Sequence, residues 1–337
     1  MKAVGYRMSL PISDPNALLD VELPKPAPTG RDLLVRVAAV SVNPVDTKVR
    51  RRAAPPPGEV RVLGWDAAGT VEATGSGCTL FKPGDAVFYA GALERQGTDA
   101  EYHLVDERLV GPKPQKLSMA EAAALPLTAV TAWETLFDRL DVRRPVPGAA
   151  RAILIIGGAG GVGSIAIQLA KALTDLTVIA TASRPETREW VRALGADHVI
   201  DHARPLAAEV AALGLGAPGV VFSTTGTDRH FDEIVELIAP QGRFGLIDDP
   251  EPIDVRKLKR KSVSLHWELM FTRSTFATAD MIEQHRLLAE VARLVDAGTL
   301  RTTLAANFGP CTAENLRRAH ALLESGRSKG KIVLEGF

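Results

Sequence analysis

The sequence RAILIIGGAGGVGSIAIQLAK, residues 151–171, decides the fold. Within it Gly158, Gly160 and Gly163 satisfy the pattern G-x-G-x-x-G. The pattern alone is weak evidence, because a chain with 29 glycines produces chance matches. Here it follows an apolar strand and opens an amphipathic helix, which is the context that a dinucleotide-binding turn requires. The alternative is a glycine-rich turn that holds no ligand.

Each glycine has its own expected role in such a turn. Gly158 permits the tight turn, Gly160 lets the backbone approach a pyrophosphate, and Gly163 lets the helix pack closely on the strand. The helix N-terminus adds free N–H donors and the positive end of a dipole. A Walker loop is excluded, because Ser164 and Ile165 stand where Lys and Ser or Thr are needed. The predicted cofactor-binding residues of the turn are Gly158, Ala159, Gly160, Gly161, Val162 and Gly163.

The residues around the second predicted strand, 177–182, indicate NADPH as the cofactor rather than NADH. NAD enzymes place an acidic residue at the end of this strand to bind the ribose 2′-hydroxyl. Here Ser183 and Arg184 follow the strand, and Asp175 precedes it, at the wrong end. Ser183 can hydrogen-bond a 2′-phosphate and Arg184 can pair with it, unless Arg184 is an ordinary surface residue. The rival acidic residue, Glu186, is predicted to lie in the first turn of the next helix.

Apolar strands alternate with helices through the middle of the chain. Near-continuous apolar strands between helices are typical of a parallel sheet covered on both faces. We therefore expect an α/β fold with a doubly wound parallel sheet. The predicted strands are 152–156, 177–182, 198–200, 220–223 and 243–247, and the predicted helices are 162–173, 186–194, 206–213 and 230–238.

The two ends of the chain have a different pattern. Short strands broken by Gly and Pro dominate the first third and predict a compact sandwich or barrel. Arg50-Arg51-Arg52 before Pro55-Pro56-Pro57 predicts an exposed loop. Ser118 with Glu121 predicts a capping box, and Pro126 separates two short helices. The predicted strands are 33–41, 69–73, 86–90, 303–308 and 330–334, and the predicted late helices are 280–297 and 313–325.

Composition excludes several classes of protein. The 337 residues include 40 Lys+Arg and 40 Asp+Glu, so no overall positive field attracts nucleic acid or anionic lipid. Two distant cysteines, Cys78 and Cys311, cannot form a Cys-rich zinc lobe or a disulfide framework. No apolar run approaches a membrane span, and the N-terminus has no secretory h-region. We expect a cytoplasmic protein with a small-molecule substrate, no nucleic-acid partner and no membrane attachment.

Five stretches in order along the chain resemble the medium-chain dehydrogenase/reductase superfamily. They are SVNPVDTK (41–48), LGWDAAG (63–69), KPGDAV (82–87), GGAGGVG (157–163) and GKIVL (330–334). The chain is most similar to the zinc-free quinone oxidoreductase-like branch, within a group often called zinc-type alcohol dehydrogenase-like. The resemblance implies a GroES-like β-barrel catalytic domain, 1–122 and 271–337, and a Rossmann NADPH-binding domain, 123–270. It also implies a homodimer, for which the strand at 242–247 is the candidate edge.

The resemblance also bears on zinc. Zinc alcohol dehydrogenases hold the catalytic metal through a Cys, a His in G-H-E, and a later Cys. Asn43, Trp65-Asp66 and the segment 125–131 stand at these places, and none of them contains Cys or His. The four-cysteine lobe is also missing from residues 90–102. Zinc would stabilise an alkoxide as a Lewis acid, so we predict an enzyme with no metal site.

The resemblance suggests three catalytic candidates. Asn43 is expected near the nicotinamide, where its amide can donate to an oxyanion, or it is a loop-capping residue. Thr128 corresponds to a threonine near the nicotinamide, or its hydroxyl bonds back within a helix. Lys48 replaces the tyrosine of N-P-V-x-T-Y and can donate a proton, attract an anionic oxygen, or point to solvent. Water is another possible proton source.

Further residues are expected around the cofactor and substrate. Thr224 and Thr225 end the fourth Rossmann strand, where ligands meet open α/β sheets. His202 resembles a position near the adenine end of NADPH, or it is a surface residue. Candidates for an apolar acceptor pocket are Trp65, Trp267 and Phe271, although core packing is the commoner fate of such residues. Beyond the glycine-rich turn, the candidates for cofactor binding are Ser183, Arg184, His202, Thr224, Thr225, Ile247 and Lys331.

Three functional hypotheses follow. The first is an NADPH-dependent oxidoreductase that transfers hydride to a quinone or α,β-unsaturated carbonyl without zinc, since such acceptors spread negative charge onto oxygen. The second is an NADPH-dependent aldehyde or ketone reductase. The third is an NADPH-binding structural, sensor or RNA-associated protein with little turnover. The zero net charge argues mildly against association with RNA.

Overall fold

Sixteen strands and ten α-helices, numbered in chain order, make up the fold. The strands are β1 (Lys2–Tyr6), β2 (Leu19–Glu22), β3 (Asp32–Val42), β4 (Arg61–Val62), β5 (Asp66–Thr74), β6 (Ala86–Ala90), β7 (Tyr102–Asp106), β8 (Val110–Pro112), β9 (Ala150–Ile156), β10 (Thr177–Thr181), β11 (His198–Ile200), β12 (Pro218–Ser223), β13 (Arg243–Leu246), β14 (Ser264–Trp267), β15 (Leu304–Asn307) and β16 (Lys331–Glu335). The helices are α1 (Pro44–Arg52), α2 (Met119–Ala123), α3 (Pro126–Trp133), α4 (Gly161–Leu173), α5 (Pro185–Ala193), α6 (Leu206–Ala212), α7 (Thr227–Leu237), α8 (Thr272–Thr275), α9 (Glu283–Asp296) and α10 (Ala313–Glu324). A π-helical segment, Glu134–Arg139, follows α3, and 3₁₀ segments lie at Glu107–Leu109 and Val255–Lys261.

The computed structural model describes residues 1–337, which divide into two compact units. The terminal unit comprises Met1–Val130 and Phe271–Phe337, and the inserted unit comprises Thr131–Met270. Sequence places the first domain boundary between residues 122 and 123, whereas the two units divide between Val130 and Thr131, inside α3. The terminal unit is therefore built from both ends of the chain.

The terminal unit is a β-structure organised around β3. Its larger sheet has the order β15-β16-β3-β5-β6-β8, with β7 also paired to β3, and a smaller sheet has the order β2-β1-β4. β3 is buried along almost its whole length because strands of Leu, Val and Ala pack around it. The antiparallel register of β16 on β3 places Ile332 opposite Val42. This register brings Lys331 to the end of β3.

The inserted unit contains a six-stranded sheet of order β11-β10-β9-β12-β13-β14, in which every pair is parallel. Its core joins the apolar strands to the inner faces of α6 and α7, through residues such as Leu154, Val221 and Phe231. The predicted α/β fold, with a GroES-like domain and a Rossmann-like parallel sheet, is confirmed.

The edge of this sheet differs from the prediction. Sequence favours residues 242–247 as an edge strand, but β13 is paired with β12 on one side and β14 on the other. β14, which the sequence pattern did not predict, is the edge. Its four residues, SLHW, carry no turn signal or long apolar run that would mark them as a strand.

The arginine-rich segment also differs from the prediction. Arg50 does not lie in a loop but in α1, and its side chain is fully buried. Its guanidinium donates to the Leu10 carbonyl and pairs with Glu324 of α10. These partners are distant in sequence, so the local run of charges gives no sign of the burial.

The predicted capping box of α2 is present in the structure. The Glu121 N–H donates to the Ser118 hydroxyl at 3.2 Å, and the Ser118 N–H donates to the Glu121 carboxylate at 2.9 Å. Pro126 separates α2 from α3 as predicted. No helix of the chain combines the length and apolar character needed to cross a bilayer.

Candidate functional site

The glycine-rich turn of the inserted unit links β9 to α4. Gly157 has φ of +80°, a conformation that glycine adopts without strain. Gly160 is the N-cap of α4, and the Ser164 N–H bonds to its carbonyl. The amides of the helix before Ser164 therefore have no partner of the same helix. Such N–H groups at a helix N-terminus form a surface suited to an anion.

The structure changes one of the three glycine roles. Gly158 is predicted to make the tight turn, but the positive φ belongs to Gly157. A Cβ added to Gly158 would instead lie 2.9 Å from the Ala180 Cβ of β10. Gly163 packs tightly, since its added Cβ would lie 2.4 Å from the Gly157 carbonyl oxygen. Gly160 is more open, with that same oxygen as its nearest neighbour at 3.4 Å, so its outer side has room for a ligand.

The end of β10 lies beside this turn. Thr181 Oγ1 accepts a hydrogen bond from the Gly157 N–H at 3.0 Å and lies 3.2 Å from His202 Nδ1. Arg184 is the N-cap of α5, and its Nε lies 2.8 Å from the Glu186 carboxylate in the first turn of that helix. The inserted unit thus places both His202 and Arg184 at the carboxyl end of the sheet, with Ser183 exposed between strand and helix.

Asp175 lies at the other end of β10, as its position in the sequence indicates. Its carboxylate pairs with Arg151 at 2.5 Å. It is therefore held away from the carboxyl end of the strand, where a ribose-binding acid would be needed.

A second arginine of this corner escaped the sequence analysis. Arg229 lies in the first turn of α7, and its Nη2 would be 2.7 Å from a Cβ placed on Gly226. Burial lowers the pKa of His230, and the charge of Arg229 lowers it further. The rings of His202 and His230 meet edge to face with centroids 6.4 Å apart. The only local signal is that the basic pair Arg229-His230 lies at the start of the helix predicted at 230–238, which follows the fourth strand.

The electrostatics of His202 show that positive charges converge here. Burial is the main reason for its lowered pKa, and Arg229 and Arg184 also lower it, against the opposing effect of Asp201. Two arginines thus act on one histidine at the carboxyl edge of the sheet. Asp201, whose charge affects the pKa of His202 more than either arginine does, offsets part of this positive charge.

Other predicted cofactor residues lie along the same edge. The Thr224 hydroxyl donates to the Ile156 carbonyl at 2.9 Å, which ties the end of β12 to the glycine-rich turn. Thr225 is exposed, and Ile247 directly follows β13. Ligands of open α/β sheets bind at this edge. The structure therefore brings these candidates together, with the exception of Lys331, which belongs to the terminal unit.

The terminal unit holds a buried ion pair between Lys331 and Asp66. Lys331 Nζ lies 2.9 Å from Asp66 Oδ2, and both side chains are almost completely buried. The ammonium also donates to the Val42 carbonyl at 2.9 Å and to the Asn43 side-chain oxygen. Its three N–H groups thus have three protein acceptors. None remains for a cofactor phosphate, so the predicted cofactor contact of Lys331 finds no support here.

Asn43 is equally committed to protein partners. Its Nδ2 donates to Asp66 Oδ2 at 2.8 Å and to the Ser41 carbonyl at 3.2 Å, which uses both amide hydrogens. The residue is buried and is also the N-cap of α1. Donation to an oxyanion would require one of these side-chain bonds to break, and the predicted place of Asn43 near a nicotinamide stays a prediction.

Asp66 connects this pair to the start of α3. Its Oδ1 accepts the Leu127 N–H at 2.7 Å, a helix-terminal donor with no helical acceptor. Thr128 follows directly, and its hydroxyl donates to the Leu125 carbonyl at 3.0 Å. The back-bonding alternative for Thr128 is thus present, and its predicted place near a nicotinamide stays a prediction.

The three aromatic residues predicted to line a pocket differ in burial. Trp65 is completely buried, and its indole N–H donates to the Ala92 carbonyl at 3.0 Å. Phe271 packs against it edge to face, with ring centroids 6.0 Å apart, and is also buried. Trp267 is 54% exposed at the end of β14, in the inserted unit. Trp65 and Phe271 are thus core residues, whereas Lys48 is half-buried on α1.

Family models match both parts of the chain. Residues 29–124 match the alcohol dehydrogenase GroES-like domain, and residues 194–334 match a zinc-binding dehydrogenase. The zinc-type alcohol dehydrogenase-like protein of Staphylococcus aureus strain MSSA476 is 42% identical over 99% of both chains. The chain belongs to the medium-chain dehydrogenase/reductase superfamily. It is an oxidoreductase of that superfamily, and the predicted family is confirmed.

Solved structures of this superfamily have the same fold. A protein of Rhizobium etli CFN 42, provisionally described as a zinc-dependent alcohol dehydrogenase, is 67% identical, with a TM-score of 0.98 over 100% of this chain and 98% of that one. A mycobacterial protein complexed with NADPH is 28% identical, with a TM-score of 0.83 over 99% and 100%. An NAD-dependent alcohol dehydrogenase is 30% identical, with a TM-score of 0.83 over 100% of both chains.

Two plant relatives are named for their reactions. The quinone-oxidoreductase homolog of Spinacia oleracea chloroplasts is 29% identical over 95% of this chain and 94% of that one. The 2-methylene-furan-3-one reductase of Solanum lycopersicum is 40% identical over 51% of this chain and 45% of its own length.

Zinc, which several names in this superfamily imply, does not fit the residues of this medium-chain dehydrogenase/reductase. The place of the first zinc ligand holds Asn43, whose side-chain oxygen accepts from the Lys331 ammonium. A second cation beside that ammonium would be repelled, an amide is a poor substitute for a thiolate, and the Asp66 carboxylate is already paired with Lys331. No group of three His, Cys, Asp or Glu side chains in residues 1–337 could hold a metal ion.

A buried carboxyl group, Asp46, lies beside the Asn43 backbone. Its Oδ2 accepts the Asn43 N–H at 2.6 Å, and its Oδ1 has no partner. Burial raises the pKa of Asp46 to about 7, although the Asn43 hydrogen bond and the Lys331 charge oppose this. Burial also raises the pKa of Asp99, and the charge of Asp46 adds to that effect. The core of the terminal unit thus contains an aspartate that ionises near neutral pH.

We predict that Asp46→Asn makes the protein more stable than the wild type at alkaline pH. The pKa of Asp46 is higher in the folded chain than its ordinary value of 3.8, so the folded state binds a proton more tightly. Its stabilisation is complete below about pH 4 and is lost as the pH rises through 7. The free energy of unfolding of the variant relative to the wild type should rise by up to ~1.4 kcal/mol per pH unit between pH 5 and 7.

Chemical denaturation across this range measures the difference. Asp232→Asn removes an exposed carboxylate of the inserted unit and should give a difference from wild type that barely changes with pH. A constant difference for Asp46→Asn as well would contradict the raised pKa.

Proposed function

We propose that the chain is an NADPH-dependent oxidoreductase that transfers hydride to a quinone or an α,β-unsaturated carbonyl without zinc. One observation carries the proposal: the Lys331 ammonium, with all its hydrogens bonded to protein, stands among the segments where a Lewis acid would be held. Without a metal to polarise a simple carbonyl, an acceptor that is already electrophilic is favoured. The quinone oxidoreductase and methylene-furanone reductase relatives support this substrate class.

The choice of NADPH rests on the corner around His202. Arg184 and Arg229 bring positive charge to it, and no acidic side chain ends β10. Guanidinium groups bind a 2′-phosphate well because they offer several charge-assisted N–H donors. The similar mycobacterial protein complexed with NADPH supports this choice. The similar NAD-dependent alcohol dehydrogenase supports the rival cofactor, NADH.

The chain's own residues would bind the cofactor, orient it towards the substrate and neutralise the negative charge that develops on the substrate oxygen. Bound NADPH supplies the hydride. The turn of Gly157 to Gly163 offers helix N–H groups to its pyrophosphate. Thr128 is proposed to face the nicotinamide, and Lys48 is proposed to attract the substrate oxygen as it gains negative charge. Hydride addition leaves an anion on the acceptor, and Lys48 or water is proposed to supply the proton that completes the reduction.

A second candidate, reduction of simple aldehydes or ketones, follows from the alcohol dehydrogenase names of several relatives. The third, an NADPH-binding structural, sensor or RNA-associated protein, requires binding without turnover. Product identity separates the first two. A single enone gives a saturated ketone if its double bond is reduced, and an allylic alcohol if its carbonyl is reduced.

We predict NADPH oxidation with quinones or enones, together with zinc well below one atom per chain. The assay screens quinones, enals, enones and simple aldehydes, with metal analysis of the same preparation. A chelator should leave the rate unchanged, because no catalytic step uses a metal. Stoichiometric zinc whose removal abolishes turnover would overturn the zinc-free proposal. NADPH binding with no oxidation across the panel would favour the third candidate.

For cofactor choice we predict that Arg229→Ala and Arg184→Ala each raise KM for NADPH by about tenfold or more and change KM for NADH little. The physical reason is the loss of charge-assisted bonds to the 2′-phosphate, which NADH lacks. Steady-state kinetics with both cofactors gives the ratio. Arg192→Ala is the matched control, since Arg192 is exposed in the last turn of α5. Equal effects on both cofactors would refute the assignment.

We also propose a homodimer that forms through β14. This edge strand has no strand on its outer side, and Trp267 and Leu269 nearby are 54% and 56% exposed. Open sheet edges with exposed apolar side chains are sites of strand pairing between chains.

We predict that Trp267→Lys shifts the protein from dimer to monomer, measured as the molar mass in solution by light scattering. A buried lysine at the interface would be an unpaired charge. Phe276→Lys is the control, because Phe276 is 74% exposed in the terminal unit and should leave the mass unchanged. A monomeric wild type, or a dimer that survives Trp267→Lys, would contradict the proposed edge.

A further inference from the structure

The Lys331 ammonium is a buried cation whose bonding capacity is used entirely within the protein. Its acceptors are the Val42 carbonyl, the Asn43 side-chain oxygen and Asp66 Oδ2. An ammonium with all its N–H groups bonded has none left for a phosphate. The mechanism proposed above leaves Lys331 without a task, although a buried charge is costly to maintain.

Asp66, the acidic partner of Lys331, also accepts hydrogen bonds from Asn43 and Leu127. Oδ2 also accepts from Asn43 Nδ2, which fixes the plane of the amide between ammonium and carboxylate. Oδ1 accepts the Leu127 N–H, where a negative charge also suits the N-terminus of α3. One carboxylate thus holds both Asn43 and the turn that carries Thr128.

Besides β16, which supplies Lys331, three segments of the terminal unit meet at this pair. They are the β3–α1 junction at Asn43, the start of β5 at Asp66, and the first turn of α3 at Leu127. By resemblance, these are also the segments that supply the metal ligands in zinc-containing relatives. A metal would crosslink them and add net positive charge. The Lys331–Asp66 pair crosslinks them and adds none.

We propose that Lys331 is a positioning residue that replaces the crosslinking role of a metal: with Asp66 it fixes Asn43 and Thr128 relative to each other for hydride transfer. The catalytic part of this statement rests on the proposed function. The crosslinking part does not, because it concerns contacts within the terminal unit.

The crosslink is tested by hydrogen–deuterium exchange, which needs no turnover. Lys331→Met removes the charge with little change in side-chain length. We expect the exchange rates of the backbone N–H groups of Leu127 and Asn43 to rise by tenfold or more in this variant. Lys116→Met, an exposed lysine of the same unit, should leave both amides as in the wild type. Unchanged protection in Lys331→Met would overturn the proposal, whatever the protein reduces.

The catalytic role is tested by a double variant that separates position from stability. Lys331→Met alone leaves Asp66 as an unpaired buried charge, so Tm and kcat should both fall. Adding Asp66→Asn removes that charge and should recover most of the lost Tm. We expect kcat to stay at least tenfold below wild type in the double variant, because Asn43 has lost its ammonium partner, while the Kd for NADPH stays within threefold.

Other outcomes are equally decisive. Recovery of kcat together with Tm would show a merely structural pair and would overturn the positioning role. A rise of the NADPH Kd in parallel with the loss of kcat would make Lys331 a cofactor ligand instead. A wild type that binds NADPH but reduces nothing would defeat the proposed function alone, while the exchange experiment would still decide the crosslink.

Discussion

The buried pair of Lys331 and Asp66 is the constraint on which the terminal unit depends. The two residues are separated by most of the chain, yet Nζ and Oδ2 lie 2.9 Å apart with almost no exposure. Removing either partner would leave the other as an uncompensated charge at that depth, at a large cost in desolvation free energy. The pair therefore requires β16, from the C-terminal end, to lie on β3 before the unit is complete. A parallel-sheet unit can be inserted between the two ends because this contact joins them again.

Local patterns predict the parallel sheet of the inserted unit apart from β14, and the failures have both local and non-local causes. The alternation of apolar strands and helices in the middle of the chain predicts a parallel sheet, and β11 has the bounds expected from its sequence. β14 is missed because four residues at a sheet edge carry almost no periodicity. Arg50 is misread as a loop residue because only its distant partners, Leu10 and Glu324, explain its burial.

Some residues of the candidate site can likewise be predicted from a local sequence pattern, whereas others can be identified only from the folded packing. The glycine-rich turn can be read from sequence because one short segment contains the whole device, although the tight turn proves to be at Gly157. Arg229 joins the corner of His202 only through the packing of α7, which the sequence does not specify. Sequence alone could not distinguish a core position from a pocket position for Trp65 and Phe271. Their burial in the structure identifies both as core residues.

The Lys331–Asp66 pair also constrains the chemistry of the proposed reaction. A metal ion in its place would supply net positive charge to a developing oxyanion, whereas an ion pair is neutral overall and its ammonium is already saturated. Stabilisation of the negative charge must then come from the acceptor itself or from a separate cation. Quinones and enones provide the first by conjugation, and Lys48 of α1 is proposed to provide the second. A site of this kind favours acceptors that need little polarisation, and it disfavours the unassisted carbonyls that zinc enzymes reduce.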